Sequence, residues 1–195
     1  MCNKNSIDGL VHPKCKTRDG IDGIISAIAY KGIVKKLLYQ FKYKPFLSDL
    51  KVPLGKLLHE GMIQNEVFSR YISSTNGVWI TSVPLHRMRE KRRGYNQSAL
   101  LAKELSKSLK IPYAEGLLTR RKPTRPQFEL KREERRKNIK DAFLVNDKLI
   151  TNNKIANVIL VDDITTTGAT LSECGKVLKK SGVKNVLGVT LTHEA

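Results

Sequence analysis

Val158-Ile159-Leu160-Val161-Asp162-Asp163-Ile164-Thr165-Thr166-Thr167-Gly168-Ala169-Thr170 is the stretch on which the fold of this 195-residue chain turns. Four apolar residues, a carboxylate pair and a Thr/Gly loop read as a buried strand that turns into a helix. The apolar run suits a central strand of a parallel sheet, covered on both faces. Open α/β sheets bind ligands beyond the carboxyl ends of their strands, and the two aspartates stand there. Asp162 and Asp163 are acceptors for two vicinal hydroxyls, as on a ribose. Thr165, Thr166, Thr167, Gly168, Ala169 and Thr170 offer hydroxyls, backbone N–H groups and a helix N-terminus, which together suit a phosphate monoester. The stretch therefore reads as a ribose 5-phosphate site. No Gly-Lys-Ser/Thr closes the loop and it holds no GxGxxG, so nucleoside triphosphate and dinucleotide readings fall away.

Around it, apolar periodicity sketches an alternating fold. Asp22 to Tyr30 reads as a strand, and Ile33, Leu37, Leu38 and Phe41 give a short helix. Phe46 to Ile63 reads as a second helix with Leu47, Leu50, Leu54, Leu57 and Leu58 inward; Pro53 within it marks a kink or a boundary. Gly77 to Pro84 reads as a core strand, and Asn96 to Leu109 as a helix with Leu100, Leu101, Leu105 and Leu109 on one face. Leu117 to Arg120 and Ala142 to Val145 read as short strands on either side of a charged stretch, Lys122 to Lys140, that has no apolar stripe. Thr170 to Ser181 gives a helix, and Val186 to Leu191 a strand. The alternation argues a doubly wound, mainly parallel α/β sheet. Residues 21–195 are expected to form that domain, and residues 1–20 a polar, irregular segment before it.

The chain is long enough to bury one α/β core. Its apolar runs are too short to span a bilayer and its first residues lack an apolar signal region, so a cytoplasmic location is expected. Cys2, Cys15 and Cys174 are an odd count with no disulfide framework, as in a reducing compartment. Cys174 falls on a helix face and reads as core. Thirty-six Lys+Arg against eighteen Asp+Glu leave a net charge of +18. A field of that sign draws polyanions and makes nucleic acid a candidate partner.

The Asp-Asp and Thr/Gly stretch resembles the phosphoribosyl pyrophosphate (PRPP) signature of type I phosphoribosyltransferases. Two further motifs narrow the resemblance. One is Val83-Pro84-Leu85-His86-Arg87-Met88-Arg89-Glu90-Lys91-Arg92-Arg93-Gly94-Tyr95-Asn96-Gln97, in which Asn96 is placed to begin a helix. The other runs from Thr124 and Gln127 through Leu130, Arg135 and Asn138 to Ala142-Phe143. In this order the three motifs resemble the ComF/GntX family, the competence-associated branch of that fold, over residues 21–195.

The resemblance implies a PRPP site served by Mg²⁺, with Asp162 and Asp163 holding the sugar directly or through the metal and its waters. It implies a pyrophosphate loop formed by Leu85, His86, Arg87, Arg93 and Gly94, whose charge and backbone amides would stabilise the leaving group. It implies a flexible loop carrying Arg121, Gln127, Arg135 and Asn138 that closes over the ligand. It further implies single-stranded DNA as a partner in natural transformation, with Arg89, Lys91, Arg92, Tyr95, Arg132 and Arg136 as candidate contacts. Tyr43 and Phe128 are candidate stacking residues beside Tyr95. Relatives often carry a four-cysteine zinc module at the N-terminus. Only Cys2, His12 and Cys15 stand there and no C-x-x-C is present, so zinc is not expected.

Three functions follow, two of them compatible. An enzyme would be a Mg²⁺-dependent pentosyltransferase that uses PRPP, its acceptor undetermined, with nucleobase salvage without a DNA role as the alternative. A nucleic-acid-binding protein would use the same fold without catalysis. A scaffold with neither activity conflicts with the intact Asp pair and the complete Thr/Gly loop. His86 is a further acid/base candidate, since histidine titrates near neutrality.

Overall fold

A computed structural model describes residues 20–43, 46–123 and 132–194, without the side chains of residues 132, 133, 135 and 136. Its strands are β1 (Gly23–Ala29), β2 (Val78–Ser82), β3 (Leu118–Arg120), β4 (Phe143–Val145), β5 (Asn157–Thr165) and β6 (Asn185–His193). Its helices are α1 (Gly32–Lys42), α2 (Lys51–Ile63), α3 (Glu66–Ser74), α4 (Arg87–Arg93), α5 (Gln97–Leu109), α6 (Arg132–Ile139), α7 (Asp147–Asn153) and α8 (Ala169–Lys180). Four strands form a wholly parallel sheet in the order β1-β6-β5-β2. Strands β3 and β4 pair antiparallel apart from it. The doubly wound α/β expectation is met.

Alternation along β5 explains the burial of both faces. Ile159 and Val161 join a core with α1, α2, α3 and α5, whereas Val158 and Leu160 join a second core with α8 and the β3–β4 pair. The four side chains are fully enclosed, so the apolar run is continuous rather than period-two. The sheet's last strand in sequence, β6, lies in its interior between β1 and β5, where Thr190 and Thr192 are also buried. Ser26 Oγ and Thr190 Oγ1 are hydrogen-bonded at 2.7 Å across 164 residues of chain. On the α2 side, Gly61 lets the helix rest on β1. A Cβ at that position would come within 2.6 Å of Ala27 Cβ.

Three expectations are corrected. The helix read over Phe46 to Ile63 is broken: Phe46 has φ +57°, Ser48–Leu50 make a turn of 3₁₀ helix, and α2 starts at Lys51. Pro53 then lies in a first turn, where no intrahelical N–H bond is lost, and of its two readings it marks the boundary where the helix begins rather than a kink. The basic segment after β2 is not a loop but helix α4, opened by His86, whose Nδ1 accepts from the Met88 N–H at 3.4 Å. Gly94 ends it at φ +81°, a left-handed turn that suits glycine. The charged stretch before β4 also contains a helix, α6. Helices α3 and α7, capped by Asn65 and Asn146, are additions to the reading.

Candidate functional site

Strand β5 continues through both aspartates to Thr165, so alternation points the two carboxyl groups to opposite sides of the strand. The Thr/Gly loop follows at once. Gly168 takes φ +69° and stands at the N-terminus of α8, where the chain must reverse into the helix. The loop is pinned at its base: Glu194 N–H donates to Thr165 O at 2.9 Å, and His193 Nε2 lies 2.9 Å from Thr166 O. Thr167 Oγ1 is buried without a partner.

The second wall comes from the α5 terminus. Asn96 caps α5 by accepting from Ser98 and Ala99 N–H groups at 3.0 and 3.4 Å. Its Nδ2 donates to Val83 O at 3.0 Å, which ties the cap to the end of β2. Ser98, thus fixed, donates from Oγ to Asp162 Oδ1 at 2.7 Å. The same oxygen accepts from the Asp163 N–H at 2.9 Å. Burial, reinforced by the Asp163 carboxylate, nevertheless pushes the Asp162 carboxyl up to about 7. Asp163 is buried and pairs with Lys42 Nζ at 2.9 Å, from the last residue of α1.

Helix α1 is tied to α5 by one carbonyl at its C-terminal end. Phe41 O accepts from Gln97 Nε2 at 2.9 Å and from Tyr95 Oη at 3.0 Å. Arg93 Nη1 donates to Gln97 Oε1 at 3.0 Å, and its Nε is buried without a partner. Between these walls lies a cleft of about 480 Å³. The Asp pair, Thr165, Thr166 and residues 168–171 are in its lining; Arg89, Arg92, Arg93 and Arg120 add positive charge. Burial lowers the Arg120 pKa, with Arg89 acting in the same direction.

A phosphoribosyl transferase domain model matches residues 96–194. The chain is 42% identical over 109 residues to Competence protein F of Haemophilus influenzae, across 55% of this chain and 46% of that protein. It is 36% identical over 167 residues to DNA utilization protein YhgH of Escherichia coli, across 84% of this chain and 68% of the relative. Over 168 residues it is 28% identical to Competence protein ComFC of Bacillus subtilis, across 80% of this chain and 58% of the relative. The chain belongs to the ComF family. Its match spans under half the length of the Haemophilus relative. The matched domain and the parallel sheet together give this ComF-family chain a type I phosphoribosyltransferase fold.

Within the ComF-family fold the expected site residues separate. Asp162, Asp163, Thr165, Thr166, Gly168, Ala169 and Thr170 share the cleft with Leu85 and Arg93. Thr167 lies in the same loop but not on the lining; Arg87 and Gly94 are exposed and also outside it, and His86 serves as the α4 cap. Arg89 and Arg92, expected on nucleic acid, line the cleft, whereas Lys91 is exposed outside it. Tyr95 spends its hydroxyl on Phe41 O and packs its ring 5.6 Å from that of Phe41, so it is placed as a strut rather than an open stacking surface. Arg121 donates from Nε to Asp141 O at 3.0 Å, outside the lining, and Asn138 is half-buried on α6. Arg132, Arg135 and Arg136 fall on α6, but their side chains lie outside the described residues, as do Gln127, Phe128, Cys2, His12 and Cys15. Cys174 is buried in the second core. The reading missed Lys42, Ser98 and Arg120. Lys42 and Ser98 stand at helix ends next to residues that were read, a signal of place but not of partner.

Proposed function

We propose that the cleft binds PRPP, and that the protein couples this site to single-stranded DNA in DNA uptake or use. The observation that carries the reading is one cleft lined together by the Asp pair, the Thr/Gly loop and three arginines from α4. Ribose hydroxyls would donate to Asp162 and Asp163, with the Lys42 ammonium giving up or sharing Asp163. The 5-phosphate would sit on the backbone N–H groups at the start of α8. Arg89, Arg92 and Arg93 would balance the pyrophosphate, whose charge grows as it leaves. Cleavage at the anomeric carbon passes through an oxocarbenium-like state, so electrostatics and positioning do the catalytic work, as in a pentosyltransferase.

The donor set fits Mg²⁺. Among the described residues no cluster of three or more His, Cys, Asp or Glu could hold a metal. Two hard carboxylates beside a phosphate site suit an ion that keeps its waters and enters with its phosphates. When bound, it supplies Lewis-acid and template chemistry.

The DNA half of the proposal draws on the relatives' names, competence and DNA utilization proteins, and on the net charge of +18. That charge also favours the second reading, DNA binding on this fold without turnover. A cytoplasmic setting suits both. Among the described residues no helix is long and apolar enough to cross a membrane.

Calorimetric titration of PRPP with Mg²⁺ tests the proposal on wild type and on the Asp162→Asn/Asp163→Asn double variant. Binding by the wild type that vanishes in the variant supports it. A folded wild type that binds no PRPP overturns the PRPP half and leaves the second reading.

A further inference from the structure

Lys35, Tyr39 and Tyr43 are spaced by four, so they stack along one side of α1 and its C-terminal cap. All three line the cleft. The Tyr39 and Tyr43 rings lie 4.8 Å apart between centroids, tilted by 34°. The Arg93 guanidinium carbon sits 5.6 Å from the Tyr43 centroid, and Lys35 Nζ sits 5.6 Å from that of Tyr30. Tyr39 nonetheless keeps 61% of its surface in water. A tyrosine retained for packing buries its ring and pairs its hydroxyl, as Tyr95 does. Tyr39 stands at the mouth of the cleft with an aromatic surface uncovered. Lys42, the residue before Tyr43, reaches Asp163 of the Asp pair at 2.9 Å. The aromatic surface and the candidate sugar site thus belong to one helix end.

We propose that Tyr39 and Tyr43 form a stacking platform for a base of single-stranded nucleic acid, held beside the ribose phosphate site. The inference rests on the single-strand half of the function proposed above and names its contact. Every base presents a π-face, so such a surface tolerates sequence. A base in a strand also brings a phosphate on either side, and Lys35 and Arg93 flank the rings where those charges would lie. With Arg93 also placed on the pyrophosphate, a free nucleobase would still leave Lys35 without a phosphate, and the occupant assigned is a strand.

The test is fluorescence anisotropy with the full chain and two labelled strands of about 12 nucleotides, oligothymidylate and its abasic counterpart. Wild type is expected to bind the thymidylate strand about tenfold tighter than the abasic one. Tyr39→Ala, at an exposed position, brings that ratio to about one while abasic affinity and salt dependence stay unchanged. Tyr39→Phe keeps the ratio. A ratio near one in wild type overturns the inference, as does a Tyr39→Ala variant that weakens both strands alike. Displacement of the strand by thymidine at equal base concentration also overturns it, since the occupant would then be a free nucleoside. Absence of strand binding altogether overturns the DNA half of the proposed function as well. Loss of the base-dependent ratio alone leaves that half standing.

Discussion

To accept a proposed ribose hydroxyl with both lone-pair sets Asp162 would have to be ionised, yet burial and the Asp163 carboxylate push its carboxyl up to about 7. PRPP affinity should therefore rise between pH 6 and 8, read by calorimetry at each pH. A flat profile would mean that Asp162 does not contact the sugar. The same shift has a stability sign. Between the unfolded carboxylate value near 4 and the folded value near 7, the native state holds a proton that the unfolded chain has released, so this group's contribution falls as pH rises. Asp162→Asn, which keeps an acceptor for Ser98 but no charge, should melt on the order of 5 °C above wild type at pH 8. The gap should close toward pH 4. Ser98→Ala removes the 2.7 Å donor and should weaken PRPP binding at pH 7 by about fivefold, roughly the worth of one hydrogen bond. At this scale the arrangement of β5 was legible because strand, carboxylates and loop are contiguous in the chain. Lys42, Ser98 and Arg120 were not, because their meeting at the Asp pair is made only by the tertiary fold. The sequence distance from Ser98 to Asp162 is 64 residues.

Elements depend on a few contacts that join them. Asn96 accepts two bonds from the α5 terminus and donates one to β2. Asn96→Ala should cost about 2 kcal/mol, a cap plus an unmet buried carbonyl, seen as a lower urea midpoint with unchanged m. It should also weaken PRPP binding, since Ser98 rides on the same turn. Gly61→Ala puts a methyl where Ala27 lies 2.6 Å away. Helix α2 must lift from β1, at a cost of about 1–3 kcal/mol, with PRPP affinity largely kept. A thermal midpoint equal to wild type would show that the helix gives way freely. Helix α5 was legible from its leucine face and from Asn96 at its start. Helix α4 was not, because Arg87-Met88-Arg89-Glu90-Lys91-Arg92-Arg93 has no apolar face to bury. Its helicity is set by a cap at His86 and a left-handed glycine at 94. The reading over Phe46 to Ile63 erred the other way: the leucine spacing continued through a turn that reverses at Phe46.

The whole molecule is a polycation of net charge +18, and the cleft is proposed to serve two anions. Strand binding should weaken steeply with salt, with a log–log slope of about −0.7 for each phosphate neutralised. If Arg89, Arg92 and Arg93 engage the strand when the cleft is free, saturating PRPP and Mg²⁺ should flatten that slope by about 2, measured by repeating the salt series with ligand present. An unchanged slope would assign the strand to charges away from the cleft. The sheet order β1-β6-β5-β2 carries one more consequence, for how the protein is made. An interior strand arrives last of the six, so while the ribosome is still at work β2 and β5 have each other but β1 has no neighbour in the sheet. Its Ile25 waits for its sheet partner Val189, encoded 164 residues later. Such long-range closure makes folding slow and leaves a sticky edge in the nascent chain, so this chain should be a client of whatever shelters new polypeptides.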